Sequence, residues 1–283
     1  MRILTDSAAD FEWAELKALG IEWVPIRVYF GEEEFPLEGT DFKIRFFNEM
    51  AENKIFPHTS QPSPQDYLPI FEEVKAQGES LLAVLISSGL SGTYQSAVLA
   101  KEMVDYEHIY LVDSKSASSG ERILLEEACR MRDEGVEAKK IAYELAFLLK
   151  RIRLAAIVDD LENLHRGGRL SRMQTNIGKL ANLKPIITFD THGKIQVQGR
   201  YMGRNRADAN LLKLIEEEGY DQKYGLYFVY AEDPTNCDSL VEKAKVRFGE
   251  ESLANVTHLG ATIGAHAGPG AYGVFYVSKE DEL

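Results

Sequence analysis

Short apolar runs alternate with helix-length amphipathic stretches through the first half of the chain. Arg2–Thr5, Trp23–Phe30, Leu81–Ser87 and Ile109–Asp113 read as strands, each leading through a loop rich in Ser, Thr or Asp into a helix. That alternation predicts crossover units on a parallel sheet. In such sheets ligands bind beyond the carboxyl ends of the strands, where helix N-termini present free N–H groups. Ser63-Pro64-Gln65-Asp66 has the composition of a helix start, so Thr59-Ser60-Gln61 sits just before a helix. Ser91-Gly92-Thr93 precedes the helical stretch Tyr94–Val104. The two hydroxyl-rich loops are therefore expected to face one crevice.

The second half is patterned differently. A long helix-like stretch, Ala138–Arg153, runs into a strand at Leu154–Val158 and a basic glycine loop. From Pro185 the chain reads as a hairpin turning at Thr191-His192-Gly193, then helix 207–218, strand Tyr224–Tyr230, helix Cys237–Phe248 and strand Leu253–Leu259. The expected architecture is α/β with two domains. The N-terminal domain, 1–153, carries a parallel sheet, and the C-terminal domain, 154–283, carries a mixed or antiparallel sheet with helices.

Composition narrows the function classes. At 283 residues, with 45% hydrophobic and 27% charged, the chain is long enough for two ordinary globular cores. A formal net charge of -13 repels phosphate backbones, which argues against nucleic acid as a partner. Cys129 and Cys237 have no metal-binding spacing, so neither a metal nor another cofactor is expected. The opening Met1–Thr5 is strand-like rather than signal-like, which points to the cytoplasm. No run approaches the roughly 20 apolar residues of a membrane helix, so stable membrane insertion is not expected.

Candidate chemistry is concentrated in a few segments. In the glycine-rich stretch 260–270, small residues surround a single histidine, His266, and would let a ligand or another backbone approach closely. The glycine spacing is not a dinucleotide fingerprint, and no strand-then-helix frame with a downstream acid at the right distance is expected to support one. Ser91, in Gly89-Leu90-Ser91-Gly92-Thr93, resembles a nucleophile elbow, with Thr93 where a second glycine belongs. A serine esterase or thioesterase using Ser91 and His266 is thus the alternative reading. Asp6 and Asp113, each after a strand, read as helix caps. Arg166-Gly167-Gly168-Arg169-Leu170-Ser171-Arg172 is either a solvated basic loop or a docking loop for an anion or partner.

Together Thr5-Asp6-Ser7, Thr59-Ser60-Gln61-Pro62-Ser63, the stretch from Ser87 to Tyr94, the stretch from Leu161 to Ser171, and Gly264-Ala265-His266-Ala267-Gly268-Pro269-Gly270 resemble the DegV family in order and over essentially the whole chain. The resemblance implies a two-domain α/β protein, not an enzyme, that holds a long-chain fatty acid between its domains. It further implies a partner, the catalytic subunit of a fatty acid kinase, to which the acyl carboxylate is presented. By motif, Thr59 and Ser91 would donate hydroxyl hydrogen bonds to the carboxylate, His266 would complete the head-group site and Arg169 would lie near its mouth. Ser60, Gly92, Thr93 and Gly268 belong to the same ligand-binding segments. Arg200, Arg204 and Arg206 compete for one further family arginine.

Overall fold

The computed structural model describes residues 1–39, 41–52, 55–159, 161–171 and 182–279. In the N-terminal half, β1 (Arg2–Asp6), β2 (Ile21–Val24), β6 (Leu81–Leu85) and β7 (Ile109–Asp113) form a parallel sheet in the order β2-β1-β6-β7. Its central strand β6 is fully buried, as expected of a parallel strand covered on both faces. Among its helices are α3 (Pro64–Gln77), before β6, and α4 (Thr93–Val104), after it. Ser63 and Asp66 form a reciprocal capping box at the start of α3, with Pro64 in the first turn, where its missing N–H costs nothing.

The expected strand Trp23–Phe30 is two strands. Pro25 lacks the N–H that a ladder needs, and the chain leaves β2 there to enter a separate antiparallel sheet. That sheet has the order β4-β3-β5, with β3 (Arg27–Phe30), β4 (Glu33–Phe35) and β5 (Pro57–Ser60). Between β4 and β5 runs α2 (Phe42–Glu52). Thr59 therefore sits in a strand, opposite Val28, and not in a loop. After β7 come α5 (Ser119–Asp133) and α6 (Ala138–Leu148), and α6 ends five residues before the expected Arg153 because the chain is already extended from Ile152.

The C-terminal half is a six-stranded mixed sheet in the order β10-β9-β8-β13-β11-β12, made of β8 (Ile152–Ile157), β9 (Leu183–Phe189), β10 (Ile195–Met202), β11 (Leu226–Tyr230), β12 (Leu253–His258) and β13 (Tyr272–Val277). Only β11 and β12 pair in parallel. The helices here are α7 (Glu162–Arg166), α8 (Arg204–Glu218), α9 (Thr235–Phe248) and α10 (Ala261–Ala267). The central strand β13 was absent from the expected elements, although Tyr272-Gly273-Val274-Phe275-Tyr276-Val277 has the aromatic and β-branched make-up of a buried strand. Around the glycines near His266, β12 is followed directly by α10. Its glycine contacts serve packing: a Cβ on Gly264 would lie 2.6 Å from Phe47 and 2.9 Å from Phe46 of α2.

One apolar core runs through both halves, including Ile3, Phe46 and Leu124 from the first and Leu154, Val229 and Phe275 from the second. The hairpin tip joins them as well. Ser87 donates its hydroxyl to the carbonyl of Gly193 at 2.9 Å, and Gly193 itself adopts a φ of +71°.

Candidate functional site

Between the parallel sheet and the six-stranded sheet lies an apolar cavity, with about 90 Å³ open to the centre of a water molecule. The walls come from every layer. Ile26 and Ile86 rise from the N-terminal half, Leu154, Ala156 and Ile187 from β8 and β9, and Leu259 and Ile263 from the segment around α10. Against this background the polar lining stands out: Thr59, Ser91, Arg169 and His266, with Ser118 and Thr262.

Each of these side chains is placed by its element. Ser91 follows β6 in a turn whose N–H donates to the Ser87 carbonyl at 3.1 Å, and its hydroxyl meets that of Thr93 at 2.8 Å. A Cβ on Gly92 would fall 2.1 Å from Gln61 Oε1, so a side chain there would displace the Gln61 amide. That contact brings the Gln61 segment against the Ser91 turn. From α10, His266 Nε2 meets Thr59 Oγ1 at 2.8 Å, while Nδ1 is buried with no partner. Gly167 lies flat against the imidazole, where a Cβ would be 2.2 Å from Nδ1. Arg169 follows Gly168, whose φ of +75° turns the chain back, and donates from Nε to the Leu90 carbonyl at 2.9 Å and from a terminal nitrogen to the Gly167 carbonyl.

Electrostatics separates the two basic groups. Burial, and then the charge of Arg169, pull His266 from 6.5 down to about 3, so the imidazole is neutral. Burial alone lowers the pKa of Arg169, which remains charged because arginine starts far above neutrality. Arg169 has no carboxylate partner among the described residues. A half-buried cation in the wall of an apolar cavity has the chemistry to hold an anion.

Four of the expected site residues, Thr59, Ser91, Arg169 and His266, therefore meet at the cavity. The others do not line it. Ser60 points to solvent, Gly92 and Thr93 support Ser91 from behind, and Gly268 belongs to a neighbouring groove, where a Cβ would strike Asn163 at 2.1 Å. The small residues of 260–270 thus admit protein neighbours. The basic loop also divides: Arg166 pairs with Glu162 and covers the Phe56 ring, Arg169 faces the cavity, and Arg172 lies outside the described residues. Arg204 is held by Asp159 at 2.7 Å. Asp6 caps Ala8 at 2.8 Å as expected but also holds the Ile86 N–H at 2.8 Å, whereas Asp113 caps no helix and ties Ser88 to Lys115. Ser118 was not foreseen. It lines the cavity with φ at +52°, unusual for a non-glycine residue.

A family model described as "Uncharacterised protein, DegV family" matches residues 1–279. The chain belongs to the DegV family. A DegV domain-containing protein of Caldanaerobacter subterraneus is 33% identical over 280 residues, covering 98% of each chain. Among solved structures, a DegV family protein from Thermus thermophilus described as binding fatty acid is 32% identical, with a TM-score of 0.84 over 99% of this chain and 100% of that one. A DegV family protein from Eubacterium eligens, loaded with heptadecanoic acid, is 25% identical with a TM-score of 0.85 over 99% and 100% of the two chains.

Proposed function

We propose that this DegV family chain binds one long-chain fatty acid, with the acyl tail in the apolar cavity and the carboxylate at Arg169, Thr59 and Ser91. The observation that carries the reading is the half-buried Arg169 guanidinium, without a carboxylate partner among the described residues, at the edge of a cavity whose walls are otherwise largely apolar. The fatty acids bound by the Thermus thermophilus and Eubacterium eligens relatives support it.

The tail dominates the energetics. Burying a methylene contributes about 0.8 kcal/mol, so a chain of about 16 carbons gains roughly 12 kcal/mol before the costs of association and ordering. The head group fixes orientation. If Thr59 donates its proton to the carboxylate, its oxygen is free to accept one from His266 Nε2, which assigns the neutral imidazole the tautomer with hydrogen on Nε2. His266 then acts through Thr59.

On this reading the chain does no chemistry on its ligand and presents the carboxylate to a separate ATP-using kinase that forms the acyl phosphate. The pairing of the polar groups favours binding over esterase chemistry, since the Ser91 hydroxyl is engaged with Thr93 and His266 Nε2 with Thr59. Native mass spectrometry of the purified protein, followed by denaturation and identification of the released molecule, tests the proposal. One stoichiometric fatty acid is expected. A ligand-free protein that also refuses added fatty acids would sink it, as would acyl phosphate formation by the chain alone with ATP.

A further inference from the structure

α10 is too short to hold itself in place. An isolated helix of fewer than about 12 residues is marginal in water, and α10 has seven, Ala261–Ala267. Its N-cap, Gly260, has no side chain to offer. In a capping box the N-cap N–H is met by a polar side chain at the third helical position. Here that position is Ile263, which lines the apolar cavity instead. The acceptor comes from the other end of the chain: Asp10 Oδ1 takes the Gly260 N–H at 2.8 Å, across 250 residues of sequence.

Further contacts make Asp10 a fixed point. It is 3% exposed and turns the chain with φ at +57°, a conformation that Asp adopts more readily than most residues. Its carbonyl and that of His258, just before Gly260, share the Lys43 ammonium, each at 2.9 Å. Nearby, the Ser7 hydroxyl meets that of Thr262, in the first turn of α10, at 2.9 Å. The segment from Ser7 to Asp10 therefore grips the start of the helix. Roughly 9 Å further along, at about 1.5 Å per residue, His266 Nε2 meets Thr59. That bond fails once its atoms part by more than about 3.5 Å, so a helix shifted by about 1 Å loses it.

We propose that Asp10 is the positioning residue of the head-group site: by holding Gly260 it sets where α10 begins, and so where His266 stands to orient the Thr59 hydroxyl. This rests on the fatty-acid reading. Nδ1 of His266 is buried without a partner, so the proton of the neutral ring belongs on Nε2, facing Thr59, for as long as the helix is held in register.

The test removes the Asp10 side chain without straining the backbone. Glycine adopts a positive φ freely, so Asp10→Gly deletes the acceptor, while Asp10→Asn keeps an oxygen there without the charge. In delipidated wild type, nitrogen-15 spectra of the imidazoles, assigned by comparison with His266→Asn, should show His266 as a single neutral tautomer. In Asp10→Gly both tautomers should appear, and Asp10→Asn should restore one. Affinity for palmitate should fall about fivefold in Asp10→Gly, the worth of one neutral hydrogen bond. The same substitution made in His266→Asn should cost nothing further. A folded Asp10→Gly that keeps a single tautomer or full affinity overturns the inference, as does an equal loss with and without His266, the mark of a merely structural role. If Asp10→Gly does not fold, Gly260→Ala reads the same contact from its other side, since the new Cβ would lie 2.9 Å from Asp10 Oδ1 and push the carboxylate away. A wild-type protein that takes up no fatty acid refutes the underlying binding proposal instead, and the tautomer comparison then still decides whether Asp10 positions His266.

Discussion

At the scale of single residues, the described part of the proposed site has one charged group, Arg169, and several neutral ones. Arg169→Gln removes the cation but keeps an amide donor, and affinity for a fatty acid should fall by about 1.5–3 kcal/mol, the usual worth of a hydrogen bond to a charged group. Ser91→Ala should cost less, about 0.5–1.5 kcal/mol. Titration calorimetry with palmitate would rank the two, and equal losses would remove Arg169 from the head-group site. His266 is expected to show itself through pH. Its pKa is depressed from 6.5 to about 3, so its contribution to stability is intact above 6.5 and is lost as pH falls towards 3, where the unfolded chain takes up a proton that the folded protein refuses. Asp6 and Asp10 act in the opposite sense, since burial raises them to about 7 and about 6 and their contribution fades as pH rises through those values. Melting temperatures of the wild type and His266→Asn between about pH 7.5 and 4.5 separate the two effects. The wild type should lose more on acidification than the variant, and parallel curves would contradict a neutral buried imidazole. Of this cavity, the motifs named Thr59, Ser91, Arg169 and His266, which line it. They could not reveal that Gly92 and Gly167 exist to seat Gln61 and His266, because those contacts join segments distant in sequence.

At the scale of elements, close packing decides what can change. Gly264 of α10 lies against Phe46 and Phe47, both essentially inaccessible to solvent, and a methyl group there has nowhere to go. Gly264→Ala should destabilise the protein by about 1–3 kcal/mol, read as a lower urea midpoint at unchanged slope. No loss would mean that α2 and α10 can move apart cheaply. The same packing explains why part of the fold was hidden. The parallel sheet is legible because each strand is a short apolar run followed by hydroxyl-rich punctuation. The small antiparallel sheet is not, because Pro25 interrupts an otherwise continuous run and β4 is only three residues long, two of them glutamates. β13 carries no alternation, being buried along its whole length, so periodicity gives no cue and only its aromatic and β-branched composition could have flagged it.

At the scale of the molecule, the question is whether the two halves fold as one. The apolar core is shared, and Lys43 of α2, itself buried, donates both to the Asp10 carbonyl and to the His258 carbonyl at 2.9 Å. The chain's two tryptophans, Trp13 and Trp23, lie edge to face in the N-terminal half, so their fluorescence reports that half alone, whereas far-ultraviolet circular dichroism reports both. Unfolding followed by the two signals should give coincident midpoints. Separate midpoints would show that the shared core does not couple the halves.

The neutrality of His266 carries a last consequence. With the imidazole silent, the proposed head-group site has, among the described residues, one fixed positive charge, Arg169, in a protein whose formal net charge is -13. A site of that kind counts charge. A monoanion brings it to electrical balance, a methyl ester or primary amide of the same chain leaves Arg169 unanswered, and a dianion overshoots. The carboxylate form of a lipid would be retained and its uncharged relatives passed over, while conversion of the head group to a more highly charged product would weaken the protein's hold on what it had carried.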